Sequence, residues 1–167
     1  MKMLMEESEL RGLAANYLSN RFSKHKIIVP FFDFHKEGMT LSSFLKKRYF
    51  GEDLRKLPYS EDVEIRPDIL GIIALPETNT WGYVLGEAKA RKVRMVDFRQ
   101  CMNYINIAHP YEGYLFFRGE VTREVKRNIL VGNHKYQGLN KWGKLTSKYL
   151  NLLCYKRNRF CDGRLDL

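Results

Sequence analysis

Residues Arg66 to Lys89, RPDILGIIALPETNTWGYVLGEAK, leave little freedom in how this chain folds. Ile65 to Leu75 is rich in β-branched residues, and Trp81 to Ala90 is aromatic and apolar with interleaved glycines. Pro76 to Thr80 between them carries turn residues, so the pattern predicts an antiparallel hairpin. A turn centred near Glu77 and Thr78 sets Asp68 opposite Glu87, because both lie equally far from that centre. Side chains alternate along a strand, which puts Glu87 and Lys89 on one face and Ala88 on the other. Two carboxylates and an amine then project from one side of the hairpin.

Such a cluster is costly by itself. Two close carboxylates repel, and one tends to keep its proton. A divalent cation removes the conflict: Mg²⁺ prefers oxygen ligands, commonly one or two carboxylates with water and phosphate completing the shell. Taken alone, Glu87-x-Lys89 reads more readily as an ordinary Glu–Lys pair on an exposed sheet face. Its setting argues for more. Asp68 follows Pro67 and leads into a very apolar strand, Glu87 and Lys89 end a second apolar strand, and a helix with its own polar pair, Gln100 and Tyr104, comes next.

In this order and spacing the residues resemble the PD-(D/E)xK nuclease superfamily. Pro67-Asp68 matches the opening of one strand, Glu87-Ala88-Lys89 the acidic-x-Lys of the next, and Gln100 with Tyr104 the Gln-xxx-Tyr helix of its RecB-like branch. The resemblance covers Ser8 to about Phe117. It implies an α/β, restriction-endonuclease-like fold with an αβββαβ core and a central mixed sheet. It also implies Mg²⁺-dependent hydrolysis of DNA phosphodiester bonds, endo- or exonucleolytic, with Mn²⁺ as a substitute. Asp68, Glu87 and the backbone carbonyl of Ala88 would be the metal ligands. Glu7 of the first helix would join them, with Glu6 in reserve. Lys89 would position the attacking water or stabilise charge on the phosphate, and Gln100 and Tyr104 would support it. Iron–sulfur relatives use four cysteines, whereas this chain has three without suitable spacing, so no cluster is expected. No G-x-x-x-x-G-K-[ST] motif occurs, so ATP-driven activity would need another protein.

At 167 residues, one domain is the default, with a core over about residues 3–118 and a basic C-terminal extension over about 119–167. No apolar run approaches the ~18–20 residues of a membrane span, so no membrane partner is expected. The acidic start, MKMLMEESEL, lacks the apolar centre of a signal peptide. Cys101, Cys154 and Cys161 are odd in number and form no C-x-x-C, which suggests reduced thiols. The expected location is intracellular: cytoplasmic or nucleoid-associated, or host cytoplasm for a viral chain.

Net charge is +10, and it is unevenly placed. Arg118 to Leu167 holds 12 Lys/Arg against 4 Asp/Glu, and the remainder 17 against 15. A basic final third beside a nearly neutral core suggests a polyanion partner, DNA above all. Its interleaved bases and aromatics (Lys135, Tyr136, Lys141, Trp142, Tyr149, Tyr155) suit a nucleic-acid groove or, equally, a subsidiary core.

Along the chain, Met3 to Phe22 reads as a helix with a stripe of Leu10, Leu13, Ala14, Tyr17 and Leu18. Lys26 to Phe34 reads as a strand in which Pro30 demands an edge or a bulge. Lys36 to Asp62 reads as a basic flap with a short helix from Leu41 to Phe50. Met95 to Ala108 reads as a helix ended by Pro110, Tyr111 to Phe117 as a strand, and Val121 to Leu130 as a helix. Asn133 to Lys144 reads as a loop, and Lys144 to Arg157 as strand or helix. Two other functions fit the same residues: a DNA-binding protein on this fold with little or no catalysis, or a Holliday-junction resolvase, which would act as a homodimer.

Overall fold

The computed structural model describes residues 5–32, 40–48, 56–57, 64–75 and 77–163. Its elements in chain order are α1 (Glu7–Arg21), β1 (Ile27–Phe32), α2 (Leu41–Arg48), β2 (Ile69–Ala74), β3 (Trp81–Lys89), α3 (Met95–Ala108) and β4 (Glu112–Phe117). There follow α4 (Arg123–Leu130), β5 (Lys135–Leu139), β6 (Leu145–Tyr149), β7 (Asn151–Lys156) and β8 (Arg159–Asp162). The chain is thus a mixed α/β protein. Its central sheet runs β1-β2-β3-β4-β7-β8, with β5 and β6 forming a separate two-stranded ribbon.

β2 and β3 pair antiparallel with Ile69 against Gly86 and Ala74 against Trp81, which is the register the symmetric turn requires. β4 runs parallel to β3 and β7 parallel to β4, while β8 folds back on β7. β1 lies at the sheet edge. Its register against β2 slips on both sides of Val29, so the strand carrying Pro30 is both an edge and irregular.

Alternation along the strands sorts the core into two sides. Val84, Ala88, Tyr114 and Phe116 pack with Leu10, Ala14 and Leu18 of α1. Leu115, Phe117, Leu152 and Cys154 face the other way, onto Phe98, Cys101, Met102 and Ile105 of α3. α2 covers β2 and β3 through Leu41, Phe44 and Leu45 against Leu70, Ile72, Tyr83 and Leu85. Helices therefore flank the sheet on both faces, and β3 lies third of six strands beneath them.

Several expectations are corrected. The first helix starts at Glu7, and the second strand starts at Ile69 rather than Ile65. Pro67 explains the late start, because it has no N–H to give to a ladder. The stretch from Asn133 to Lys144, expected as a loop, contains β5. Its Tyr136 is buried and its hydroxyl oxygen accepts from the Gly113 N–H (3.0 Å), a tertiary contact that outweighs the low strand propensity of Lys-Tyr-Gln-Gly-Leu. Lys144 to Arg157 divides into β6 and β7. β7 hydrogen-bonds to β4, and Leu150, Leu152 and Cys154 share a core cluster with α3, so residues beyond 118 build both sheet and core. Most of the expected flap lies outside the described residues.

Two glycines make opposite predictions for stability. A Cβ on Gly138 would stand 2.4 Å from the Pro110 carbonyl oxygen, a backbone atom that cannot swing aside. Gly138→Ala should therefore cost about 1–3 kcal/mol in urea unfolding. Gly12 lies on the exposed side of α1 with nothing near its Cβ position, and Gly12→Ala should stabilise by about 0.5–1 kcal/mol. A neutral Gly138→Ala would contradict the described packing of β5.

Candidate functional site

The end of the β2–β3 hairpin is built by backbone geometry. Continuing the register past Ile69–Gly86 sets Asp68 opposite Glu87 and Pro67 opposite Ala88. An extended residue points its N–H and C=O to the same edge of the strand. The Ala88 N–H points toward β2, where the Asp68 carboxylate accepts it at 2.8 Å. The Ala88 carbonyl leaves the strand on that same side, facing a proline with no ladder donor. One residue on, the Lys89 carbonyl turns to the β4 side and accepts from the Arg118 N–H at 3.1 Å. The Asp68 N–H in turn donates to Glu87 Oε1 at 3.3 Å.

The side chains converge as the alternation requires. Lys89 Nζ lies 3.3 Å from Glu87 Oε2 and 3.7 Å from Asp68 Oδ2. Glu7 Oε1, from α1, is 3.8 Å from the same nitrogen. Asp68 is 0% exposed, Glu87 2% and Lys89 8%, which excludes the exposed cross-strand pair: these charges are inside the protein. Of the two candidates on the first helix, Glu7 reaches the cluster, whereas Glu6 is the exposed N-cap residue. Gln100 Nε2 donates to the Tyr104 hydroxyl at 3.1 Å. Tyr104 and Glu87 line one small apolar pocket with Pro67, Leu85, Cys101 and Ile105, so α3 contributes Tyr104, with Gln100 bonded to it, to the pocket that Glu87 also lines.

Sequence reasoning missed Arg11. Its guanidinium holds Glu7 Oε1 at 3.0 Å and Asp68 Oδ1 at 2.9 Å. The local signal was the i, i+4 spacing of Glu7 and Arg11, which puts both on one helix face. A second missed group anchors the link from β3 to α3. Arg91 grips Asp97 with both terminal nitrogens, at 2.8 and 2.7 Å, and the Arg94 N–H donates to the same carboxylate at 2.9 Å. Arg91 is thereby committed to holding the start of α3.

Burial, and then repulsion from Asp68, push the Glu87 carboxyl up to about 8. Burial works to lower the Lys89 ammonium, but Glu87, Asp68 and Glu7 together outweigh it and hold it above its ordinary value. Arg11 and Lys89 thus supply the positive charge that a bound cation would bring.

The donor set fits a hard divalent ion. Two carboxylates and one backbone carbonyl meet at one strand end, and Mg²⁺ needs few protein ligands when water and phosphate supply the rest. Among the described residues no group of three His, Cys, Asp or Glu side chains is placed to hold a metal, so any ion here would rest on this smaller set. No described helix is long and apolar enough to cross a membrane. No family model, curated protein or solved structure matches the chain.

The raised Glu87 carboxyl has a consequence for stability. It titrates at an ordinary 4.5 when exposed and near 8 when folded, so its contribution is fully present below about pH 4.5 and lost as pH rises toward 8. Lys89 stays charged in both states across that window. In EDTA, stability should fall between pH 5 and 8, and Glu87→Gln should flatten the slope. At pH 8 that variant should melt higher, by about 2–4 °C for each kcal/mol recovered. A parent whose stability is flat over this range would contradict the described burial of the cluster.

Proposed function

We propose that the protein is a divalent-metal-dependent nuclease of the PD-(D/E)xK kind, with a restriction-endonuclease-like core, acting on DNA. The observation that carries this reading is the convergence of Asp68 and Glu87, both buried, on the Lys89 ammonium at the end of a hairpin. Such a concentration of buried charge is costly for folding, and strongly perturbed groups of this sort gather where chemistry is done. The element order α1-β1-β2-β3-α3-β4, with α2 inserted, also supports it, as does the basic final third.

Asp68, Glu87 and the Ala88 carbonyl would hold Mg²⁺ or Mn²⁺, with Glu7 at the rim. A bound ion there would lower the pKa of water and offset charge on the phosphate. Lys89, charged at neutral pH, donates to the nearest anionic oxygen: a carboxylate now, a phosphate oxygen once substrate is seated. Tyr104, which lines a pocket with Glu87, and Gln100 bonded to it would orient polar groups there. Arg11, now paired with both Glu7 and Asp68, would yield Asp68 to a bound cation and keep Glu7 as its i, i+4 partner.

That same Arg11 contact favours a second reading. With Arg11 and Lys89 both in place, the carboxylates are neutralised without any ion, as suits a DNA-binding protein with no cleavage activity.

Cleavage of labelled single-stranded, double-stranded and branched DNA in Mg²⁺, Mn²⁺ and EDTA separates the two. Under the nuclease reading EDTA abolishes cleavage, and Glu87→Ala and Lys89→Ala each lower it by more than about a hundredfold. DNA affinity should hold or tighten in Glu87→Ala, which removes a negative charge, and weaken slightly in Lys89→Ala. Cleavage that persists in EDTA, or in Glu87→Ala at the parent rate, would eliminate the mechanism. Tight binding by a parent that cleaves no form of DNA would establish the binding-only reading.

A further inference from the structure

The final third of the chain splits its aromatics between two roles. Tyr136 is buried against β4, and Tyr155 packs on Phe160. Trp142 and Tyr149 instead remain 55% and 48% exposed, on the β5–β6 ribbon. Alternation along β6 turns Leu145, Ser147 and Tyr149 outward and Thr146 and Lys148 inward. Opposite them on β5, Lys135 pairs with Tyr149 and Gln137 with Ser147. The outward face therefore runs from Trp142 in the turn, past Leu145, to Tyr149, with roughly 13 Å of strand between the last two.

Charge accompanies the rings. Residues 133–150 contain four lysines and no acidic residue. Lys141 Nζ lies 4.4 Å from the centre of the Trp142 ring, and Lys135 Nζ 5.3 Å from that of Tyr149, both within cation–π range. Lys144 is exposed in the same turn. Glu77, from the β2–β3 turn, is an acidic neighbour 3.7 Å from Lys141. Lys148 is excluded from this surface, because it donates inward to the Tyr111 carbonyl.

We propose that this ribbon is a binding surface for single-stranded nucleic acid. Exposed rings offer faces on which bases can stack, and only unpaired bases have a face to spare, since in a duplex both faces are covered by neighbouring bases. The lysine beside each ring meets the phosphate of the stacked nucleotide. Exposed aromatics alternating with lysines are how strands are held without sequence preference. The Lys141 carbonyl accepts from the Glu77 N–H at 3.3 Å, which places the ribbon tip at the β2–β3 turn, roughly 20 Å along β3 from Glu87. The ribbon is thus a surface separate from the carboxylate cluster. The inference deepens the nucleic-acid part of the proposed function and does not depend on cleavage.

The test is fluorescence anisotropy of a labelled oligothymidylate of about a dozen nucleotides in EDTA, with a duplex of equal length for comparison. The double variant Trp142→Ala/Tyr149→Ala should lose at least about tenfold in affinity for the single strand and less than about twofold for the duplex. Its salt dependence should match the parent's. Lys135→Gln/Lys144→Gln should instead shallow the salt slope. Trp142→Phe/Tyr149→Phe should retain most of the affinity, and melting temperatures should match, since both rings are exposed. In Trp81→Phe, where Trp142 is the sole tryptophan, its emission should quench on binding. Parent-like affinity in the double alanine variant, or unchanged Trp142 emission at saturation, would overturn the proposal. So would parent-like affinity with loss of self-association in sedimentation, which would assign the ribbon to a second copy of the chain. A parent that cleaves while the double variant binds normally defeats the ribbon alone. A parent that cleaves nothing while the double variant loses single-strand affinity defeats the nuclease alone.

Discussion

The Asp68 carboxylate accepting the Ala88 N–H at 2.8 Å is the interaction on which the rest depends. Pro67, opposite Ala88, has no N–H to give to the Ala88 carbonyl, so the ladder ends at this point. The hydrogen-bonded ladder stops, a side chain takes over one of its partners, and the carbonyl of Ala88 faces the same edge. From that one contact follow the closeness of Glu87, the position of Lys89 two residues on, and the arrival of Glu7 and Arg11 from α1.

Packing holds this polar end inside an apolar protein. Ala88 is buried against α1 while its neighbours Glu87 and Lys89 point the other way, so a slip of one residue would bury two charges among Leu10, Ala14 and Leu18. The register is therefore fixed by the cost of every alternative. The price of the arrangement is a carboxyl held far above its normal range and a lysine whose charge is committed to its neighbours. A protein selected for stability alone would do better with apolar residues at these positions, which is why the cluster is read as functional.

How much of this was legible in the sequence varies with how local each signal is. The Asp68–Glu87 register could be read because it needs only a symmetric turn and strict alternation. The bounds of α3 could be read because an apolar stripe meets a proline at a known distance; His109, in the left-handed region at φ 47°, closes the helix before Pro110. Arg11 could not be paired with Asp68, since nothing near residue 11 says which distant carboxylate it meets. β5 was misread because Lys-Tyr-Gln-Gly-Leu has the composition of a loop, and its strand character comes from Tyr136 docking on Gly113 and Leu139 bonding to Pro110. The choice of Glu7 over Glu6 is a single residue of helical phase, which a stripe of apolar side chains fixes only coarsely.

Under the proposed function, Asp68 and Glu87 form a cation site whose charge Arg11 and Lys89 offset while no ion is bound. Calorimetric titration of Mn²⁺ into the metal-stripped protein and into Asp68→Asn tests it without reference to any substrate. The parent should bind Mn²⁺, and Asp68→Asn, which keeps the shape but removes the charge, should bind at least about tenfold more weakly. Equal affinity in the two proteins, or no binding by the parent, would contradict the claim.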